Sequence, residues 1–264
     1  MKRGDKVWLQ NARDRGWVIP DWPAPEGINA VCTTRCGGVS TAPFDSLNLG
    51  DHVADAPEAV VENRRILREA LQLPAEPLWL EQVHGTDVHC IDGSAVQIEG
   101  ANRDIPSADA SAVFIENQIA VVMTADCLPV LFCDQAGTRV AAAHAGWRGL
   151  CNGVLEQTVT QLACEPENLM AWLGPAIGPE VFEVGAEVRE AFIQHDAQAS
   201  QAFKAGAEES KFLADIYLLA RQRLQAIGIN QIYGGNFCTL TDSDRFFSYR
   251  REARTGRMAS LIWM

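Results

Sequence analysis

No C-x-x-C pair occurs among the eight cysteines, so neither a zinc knuckle nor a thioredoxin-type dithiol is written here. No G-x-G-x-x-G follows the first strand-like run, which removes the fingerprint of a dinucleotide fold. The H-x-E and P-C-x-x-C signature of zinc deaminases is missing as well. No apolar stretch reaches membrane-spanning length, and no membrane association is expected. The first residues, MKRGDKVWLQNARDRG, carry no apolar core of signal-peptide length. These absences predict a cytoplasmic protein in a reducing compartment, with its thiols unpaired.

Positive charge is also scarce. Against 34 acidic residues stand 22 basic ones, a net charge of −12. Phosphate contacts supply most of the affinity of nucleic-acid binders, so no nucleic-acid partner is expected. A local pocket for one small anion is compatible with that balance. The lysines are only Lys2, Lys6, Lys204 and Lys211, so nearly all the cationic chemistry falls to arginine. The remaining composition, 47% hydrophobic and 21% charged over 264 residues, is that of a globular chain with a sizeable core. Oligomeric state leaves no trace in it.

Periodicity predicts a helix over ENRRILREALQL (62–73). Strands are expected near 78–83 and 86–91, then in succession at SAVFI, IAVVMTAD, LPVLFCD and TRVAAAHA. A helix over NGVLEQTVTQLA (152–163) follows the Gly-Trp-Arg-Gly turn. Then come a strand at LMAWLG, a helix at EVREAFIQH, a helix over 213–228 closed by Gly228, and closing strands at QIYGG, RFFSYRR and RMASLIWM. This order lacks strict βαβ alternation and predicts an α+β fold with a mixed sheet.

Three residues stand where chemistry is plausible. His84 (in EQVHG), Cys127 (in ADCLPV) and His144 (in AAAHAGWRG) each end an apolar run beside Gly, Ala or Pro, where backbone can approach a ligand closely. Two imidazoles and one thiolate suit Zn²⁺ and leave a fourth position open, the catalytic pattern. The same residues fit copper, or a Cys127–His144 nucleophile–base pair of cysteine-hydrolase type. The trinuclear cluster of a true multicopper oxidase needs more imidazoles than the five histidines His52, His84, His89, His144 and His195 can provide. Glu81, Asp109 and Asp126 are the acids placed to orient a ligand imidazole or act as general base. Strand alternation turns Asp126 away from Cys127. Arg35, Arg148 and Arg250 are the candidates for binding phosphate. Arginine's planar fork suits an oxyanion, and the glycines Gly37, Gly38, Gly146 and Gly149 offer backbone N–H groups nearby. Arg251 and Arg254 read as decoration of a solvated hairpin.

Together LEQVHG, MTADCLPVLF, AAHAGWRGL, WLGPAIGP, FEVGAEV, FFSYRR and TGRMA resemble the YfiH-like, laccase-domain family. The resemblance covers residues 18–264 as one catalytic domain and leaves 1–17 as an N-terminal extension. It implies a single α+β domain with mixed sheets flanked by helices, and one zinc held by His84, Cys127 and His144. The implied activity is phosphorolysis of adenosine, guanosine, inosine and methylthioadenosine, with adenosine deamination besides. The implied partners are purine nucleosides and phosphate. The family's other descriptions give the alternatives: a copper-dependent polyphenol oxidase, or a Cys–His hydrolase that edits peptidoglycan precursors.

Overall fold

The computed structural model describes residues 7–93 and 105–264. In chain order they form α1 (Val7–Asp14), β1 (Asn29–Cys32), α2 (Pro57–Leu71), β2 (Val88–Ile91), β3 (Ala110–Val113), β4 (Ile119–Thr124), β5 (Leu128–Asp134), β6 (Val140–Ala145), α3 (Trp147–Asn152) and α4 (Val154–Leu162). Then follow β7 (Leu169–Leu173), β8 (Glu183–Gly185), α5 (Ala186–His195), β9 (Phe203–Ala205), β10 (Lys211–Ala214), α6 (Ile216–Ala226), β11 (Gln231–Gly234) and β12 (Met258–Trp263).

The strands make three sheets: a mixed six-stranded sheet ordered β11-β7-β5-β6-β3-β2, a three-stranded sheet β1-β12-β4, and a small sheet β8-β10-β9. Strands β4, β5 and β6 are buried at every residue. Their near-continuous apolar runs follow from that, because both faces are covered. On β5, Leu128, Val130 and Phe132 pack towards helices α4 to α6, while Leu131 and Cys133 pack towards the three-stranded sheet. On β4, Ala120 and Val122 face the large sheet, while Ile119 and Val121 join Leu67 and Leu71 of α2. The layers are therefore α1–α2, the three-stranded sheet, the six-stranded sheet, then α3 to α6 with the small sheet. Each fully buried Leu or Phe contributes about 1.5–3 kcal/mol, so the inner sheets form a rigid base for the residues at their ends. Of the segment read as an N-terminal extension, residues 1–6 lie outside the described residues. Leu9 and Ala12 of α1, and Trp17 beyond it, are buried, with Ala12 and Trp17 in the α2 cluster. Among the described residues no two cysteines form a disulfide.

Several local expectations need correction. Gly-Trp-Arg-Gly is the first turn of α3 rather than a free turn. The helix expected over 213–228 begins at Ile216, where Asp215 caps it by accepting the Leu218 N–H, and residues 211–214 pair as β10. Its end is as expected: the Ile229 N–H reaches the Leu224 carbonyl and the Gly228 N–H the Gln225 carbonyl, with Gly228 at φ +97°. That pattern is a Schellman close. Residues 78–83 make one isolated bridge, Glu81 with Ser107, instead of a strand. RFFSYRR is a loop, because its polar groups bond Asp126 rather than a neighbouring strand.

The Tyr217 hydroxyl ties α6 to two loops. It accepts the Ala176 N–H at 2.8 Å and faces the carbonyls of Gly174 and Phe237. Tyr217→Phe leaves that buried N–H unpaired. It should lower stability by about 1–3 kcal/mol in chemical denaturation, with the slope unchanged. A loss below about 0.5 kcal/mol would show that the loops hold themselves.

Candidate metal centre

Three chain segments meet at one end of the large sheet. His144 lies near the end of β6 on the face of Val140 and Ala142, and is 3% exposed. Cys127 immediately precedes β5, whose Leu128 pairs with Ala145. His84 comes from the 81–85 loop, which Asp109 holds at the start of β3. The Sγ of Cys127 lies 3.8 Å from Nε2 of His84. The two imidazoles meet edge to face with centroids 4.8 Å apart. One ligand atom from each of the three residues lies within 4.8 Å of the other two.

One carboxylate sets this geometry. Asp109, fully buried, accepts backbone N–H groups from Val83 (3.1 Å), His84 (2.9 Å) and Gly85 (2.6 Å), and bonds Nδ1 of His144 at 2.7 Å. Nδ1 therefore carries the proton, and Nε2 of His144 is turned to the cluster. Holding the loop also holds His84 at φ +60°, a left-handed conformation that a non-glycine residue keeps only when its surroundings over-determine it. Gln82 adds a second clamp, exchanging both amide hydrogen bonds with the backbone of Met123.

The small residues after His144 are needed for the approach. A Cβ on Gly146 would lie 2.8 Å from Cδ2 of His84 and 3.1 Å from Sγ of Cys127. One on Gly149 would lie 2.8 Å from the Gly85 carbonyl. Any side chain at either place would push the histidine loop off the strand end.

The donor set fits a soft, four-coordinate cation. Ligands sharing a tetrahedral Zn²⁺ with arms of 2.0–2.3 Å lie about 3.5 Å apart, close to the Cys127–His84 separation. His144 is buried, Cys127 half-buried and His84 exposed, so the cluster opens on one side. Burial alone would push the Cys127 thiol up. The charge of His144, with hydrogen bonds from His144 and His84, brings it down to about 6. Burial would likewise lower His144, but Cys127 and Asp109 together raise it to about 9. Burial would raise the Asp109 carboxyl, and the His144 contact with the Gly85 and Val83 N–H donors holds it below its ordinary value.

Of the three acids, Asp109 is the one bonded to the cluster. Asp126 lies in the 125–127 bend between β4 and β5 at φ +89°, where the expected strand alternation does not apply, and its carboxylate is given to another loop. It accepts hydrogen bonds from the hydroxyls of Thr239 and Ser248 and from the Arg250 N–H. Glu81 is exposed and engages Pro106 and Ala108 only through its backbone. The three arginines singled out from sequence have other contacts. Arg35 bonds Asp45 and the Ser243 carbonyl and stacks on Phe247. Arg250 donates to the Glu183 carbonyl. Arg148 is exposed and stacks on Trp147. The Gly37 and Gly38 N–H groups both go to Oγ of Ser46. Arg251 is no surface decoration, since it donates to the carbonyls of Thr239, Leu240 and Phe246. A further arginine, Arg257, is acted on by the charges of Cys127 and Asp126. Sequence reasoning had no basis for ranking it above its neighbours in RREARTGR.

Residues 29–264 match a family described as multi-copper polyphenol oxidoreductase laccase. The chain is 57% identical over 247 residues to purine nucleoside phosphorylase YfiH of Escherichia coli, covering 94% of this chain and 98% of that one. It is 56% identical over 248 residues to a purine nucleoside phosphorylase of Pseudomonas aeruginosa, with the same coverage. Among solved structures it resembles a Neisseria meningitidis protein at TM-score 0.86 and 50% identity, over 94% of this chain and 98% of that one. It also resembles YlmD from Geobacillus stearothermophilus at TM-score 0.83 and 30% identity, over 94% and 96%.

In metal-stripped protein, alkylation of Cys127 by iodoacetamide should rise with pH about a midpoint near 6, well below an ordinary thiol. His144→Gln should move that midpoint upward, because burial then acts with less opposition. An unchanged midpoint would mean that His144 does not set the thiolate. Asp109→Asn should weaken zinc binding by about 10–100-fold in competition titrations with a chromogenic chelator. Wild-type affinity in that variant would remove Asp109 from the centre.

Proposed function

From the premise that the chain belongs to the YfiH-like laccase-domain family, we propose that it is a zinc-dependent purine nucleoside phosphorylase. Its substrates in this reading are adenosine, guanosine, inosine and methylthioadenosine, and adenosine is also deaminated. The observation that carries the reading is the open His84–Cys127–His144 cluster with its Asp109-fixed tautomer, supported by the names of relatives that match nearly end to end.

His84 through Nε2, Cys127 through Sγ and His144 through Nε2 are the proposed zinc ligands. Zinc bound there supplies Lewis acidity and a water whose pKa is brought towards neutrality. The chain's own residues do the rest. Asp109 keeps the Nδ1 proton on His144 and leaves its other nitrogen free as a donor. The exposed side of His84 admits the substrate. In phosphorolysis a phosphate oxygen bonds C1′ of the ribose while the C1′–N9 bond breaks. The base leaves with the bonding pair, and the proton given up by hydrogen phosphate ends on it. Such a reaction needs a fixed oxyanion beside the sugar, which a −12 chain provides only through locally placed arginine.

A second reading has a specific observation behind it. The sequence of contacts Cys127–His144–Asp109 is that of a thiol nucleophile, its base and an orienting acid, and the lowered thiol and raised imidazole suit it. Zinc and this hydrolase chemistry make opposite demands on Cys127. Copper in the same cluster would not make a multicopper oxidase, since among the described residues no further histidine joins it.

Zinc-loaded protein incubated with adenosine should release adenine only when phosphate is present and form inosine with or without it. Cys127→Ala should lose both by at least about a hundredfold, as followed by chromatography. No product from adenosine, inosine or guanosine would end the nucleoside reading. Activity on a peptidoglycan precursor that survives chelation and dies on Cys127 alkylation would establish the hydrolase instead.

A further inference from the structure

Arg257 stands at the end of the TGR turn that leads into β12. Its backbone is pinned on both sides: the Arg257 N–H donates to Oδ1 of Asn48 and its carbonyl accepts the Leu49 N–H. Asn48 is itself held by Asp55 and Gly50. The stem of the side chain lies against Gly50, where an added Cβ would fall 2.8 Å from Cγ of Arg257. The side chain is thus seated before any ligand arrives.

Its head group is half-buried and has no carboxylate partner. Only Nη1 is engaged, by the Thr255 and Gly256 carbonyls; Nε and Nη2 have no hydrogen-bond acceptor among the described residues. Arg35, Arg64, Arg65, Arg68, Arg223 and Arg245 each have an acid instead. The pairing of Met258 with Thr124 sets Arg257 alongside the turn that carries Asp126 and Cys127, and the charges of Cys127, Asp126 and Tyr249 act on its guanidinium. Arg257 and Arg64 in turn act on His52, so three cationic or titratable groups from three segments gather here in an acidic protein. Tyr249, 57% exposed, sits 6.0 Å from the guanidinium. The hydroxyl of Thr255, two residues away, is buried without a hydrogen-bond partner. A half-buried guanidinium with two idle donors and no carboxylate in ion-pair contact is costly unless an anion completes it.

We propose that Arg257 binds the phosphate co-substrate beside Cys127, through the Nε and Nη2 edge of its fork. The claim rests on the phosphorylase reading for the identity of the anion. The pinned backbone and seated stem place the fork without further ordering, which is what phosphate recognition by arginine requires. Arg148 and Arg250 also lack an acid partner, but both are exposed: Arg148 stacks on Trp147, and Arg250 donates to the Glu183 carbonyl and lies over the Phe182 ring.

The test compares Arg257→Met, Arg257→Lys and Arg148→Met in the zinc-loaded enzyme. Arg257→Met should raise the phosphate KM by about tenfold to a hundredfold, with the nucleoside KM within about threefold. Arg257→Lys keeps the charge but loses the fork, so it should fall between wild type and the Met variant. Binding of inorganic phosphate, followed by ³¹P line broadening without nucleoside, should be saturable in wild type and lost in Arg257→Met. Zinc content and melting temperature identify any variant that misfolds, and Arg257→Lys then decides. If wild type cleaves no nucleoside while phosphate binding still depends on Arg257, the phosphorylase reading fails and the anion site stands. If both Arg257 variants bind phosphate as wild type does, if Arg148→Met carries the loss, or if wild type binds none, the proposal is overturned.

Discussion

The carboxylate of Asp109 collects four hydrogen bonds in a place where water does not reach: three from successive backbone N–H groups of residues 83–85 and one from the His144 ring. Everything at the candidate centre depends on that one group. It fixes a loop, a left-handed histidine and a tautomer together, and those are the three quantities that decide where the donor atoms lie. Removing one partner from such a buried network leaves several polar groups unpaired, which costs about 3–5 kcal/mol. The arrangement is therefore all or none, and the two histidines cannot drift independently.

The rest of the neighbourhood is shaped by the room this needs. Strand β6 is alanine at 141, 142, 143 and 145, flanked by β5 on one side and β3 on the other. Gly146 and Gly149 continue the run of small residues to the point where the 83–85 loop crosses. A histidine in so tight a stretch is explained by its two neighbours: Asp109 on one nitrogen, the cluster on the other. Asp126, immediately before Cys127 and at φ +89°, does for another loop what Asp109 does for this one. It turns its side chain away from the cluster and suspends the 239–250 segment, so the loop bearing Tyr249 and the approach to Arg257 are fixed from the same strand end.

Much of this was legible in the sequence, for physical reasons that differ by element. The central strands were readable because two-sided burial leaves uninterrupted apolar runs. The three ligand candidates were readable because polar, chemically capable side chains stood alone at the ends of those runs. The choice of Asp109 from three acids was not, since its partners at 83–85 are about two dozen residues away and are backbone groups that carry no side-chain signature. RFFSYRR misled because its mixture of aromatic and polar residues imitates a strand, whereas here the adjacent Phe246 and Phe247 enter the core while the Ser248 hydroxyl and the Arg250 N–H bond Asp126. The arginines were hard to rank for a related reason. Glycine beside an arginine indicates close backbone approach but not to what. At Arg35 the glycine N–H groups bond Ser46 and the guanidinium bonds Asp45, whereas at Arg257 the glycine that makes room, Gly50, is some two hundred residues away in sequence.

The two chemical readings of the centre share a single electrostatic fact. Cys127 and His144 exchange charge across a buried contact, the thiol lowered because the imidazole is raised. That state holds one proton between them. A divalent cation competes for the same thiolate and the same Nε2, so it binds only by releasing that proton. Asp109 serves both states equally, because its hydrogen bond is to the opposite nitrogen and persists whether Nε2 bears a proton or a metal. The fold thus preorganises the donors without choosing between them. The choice falls to the pH and to the cation supply, and acid weakens the metal-bound state first because it restores the proton the cation had displaced.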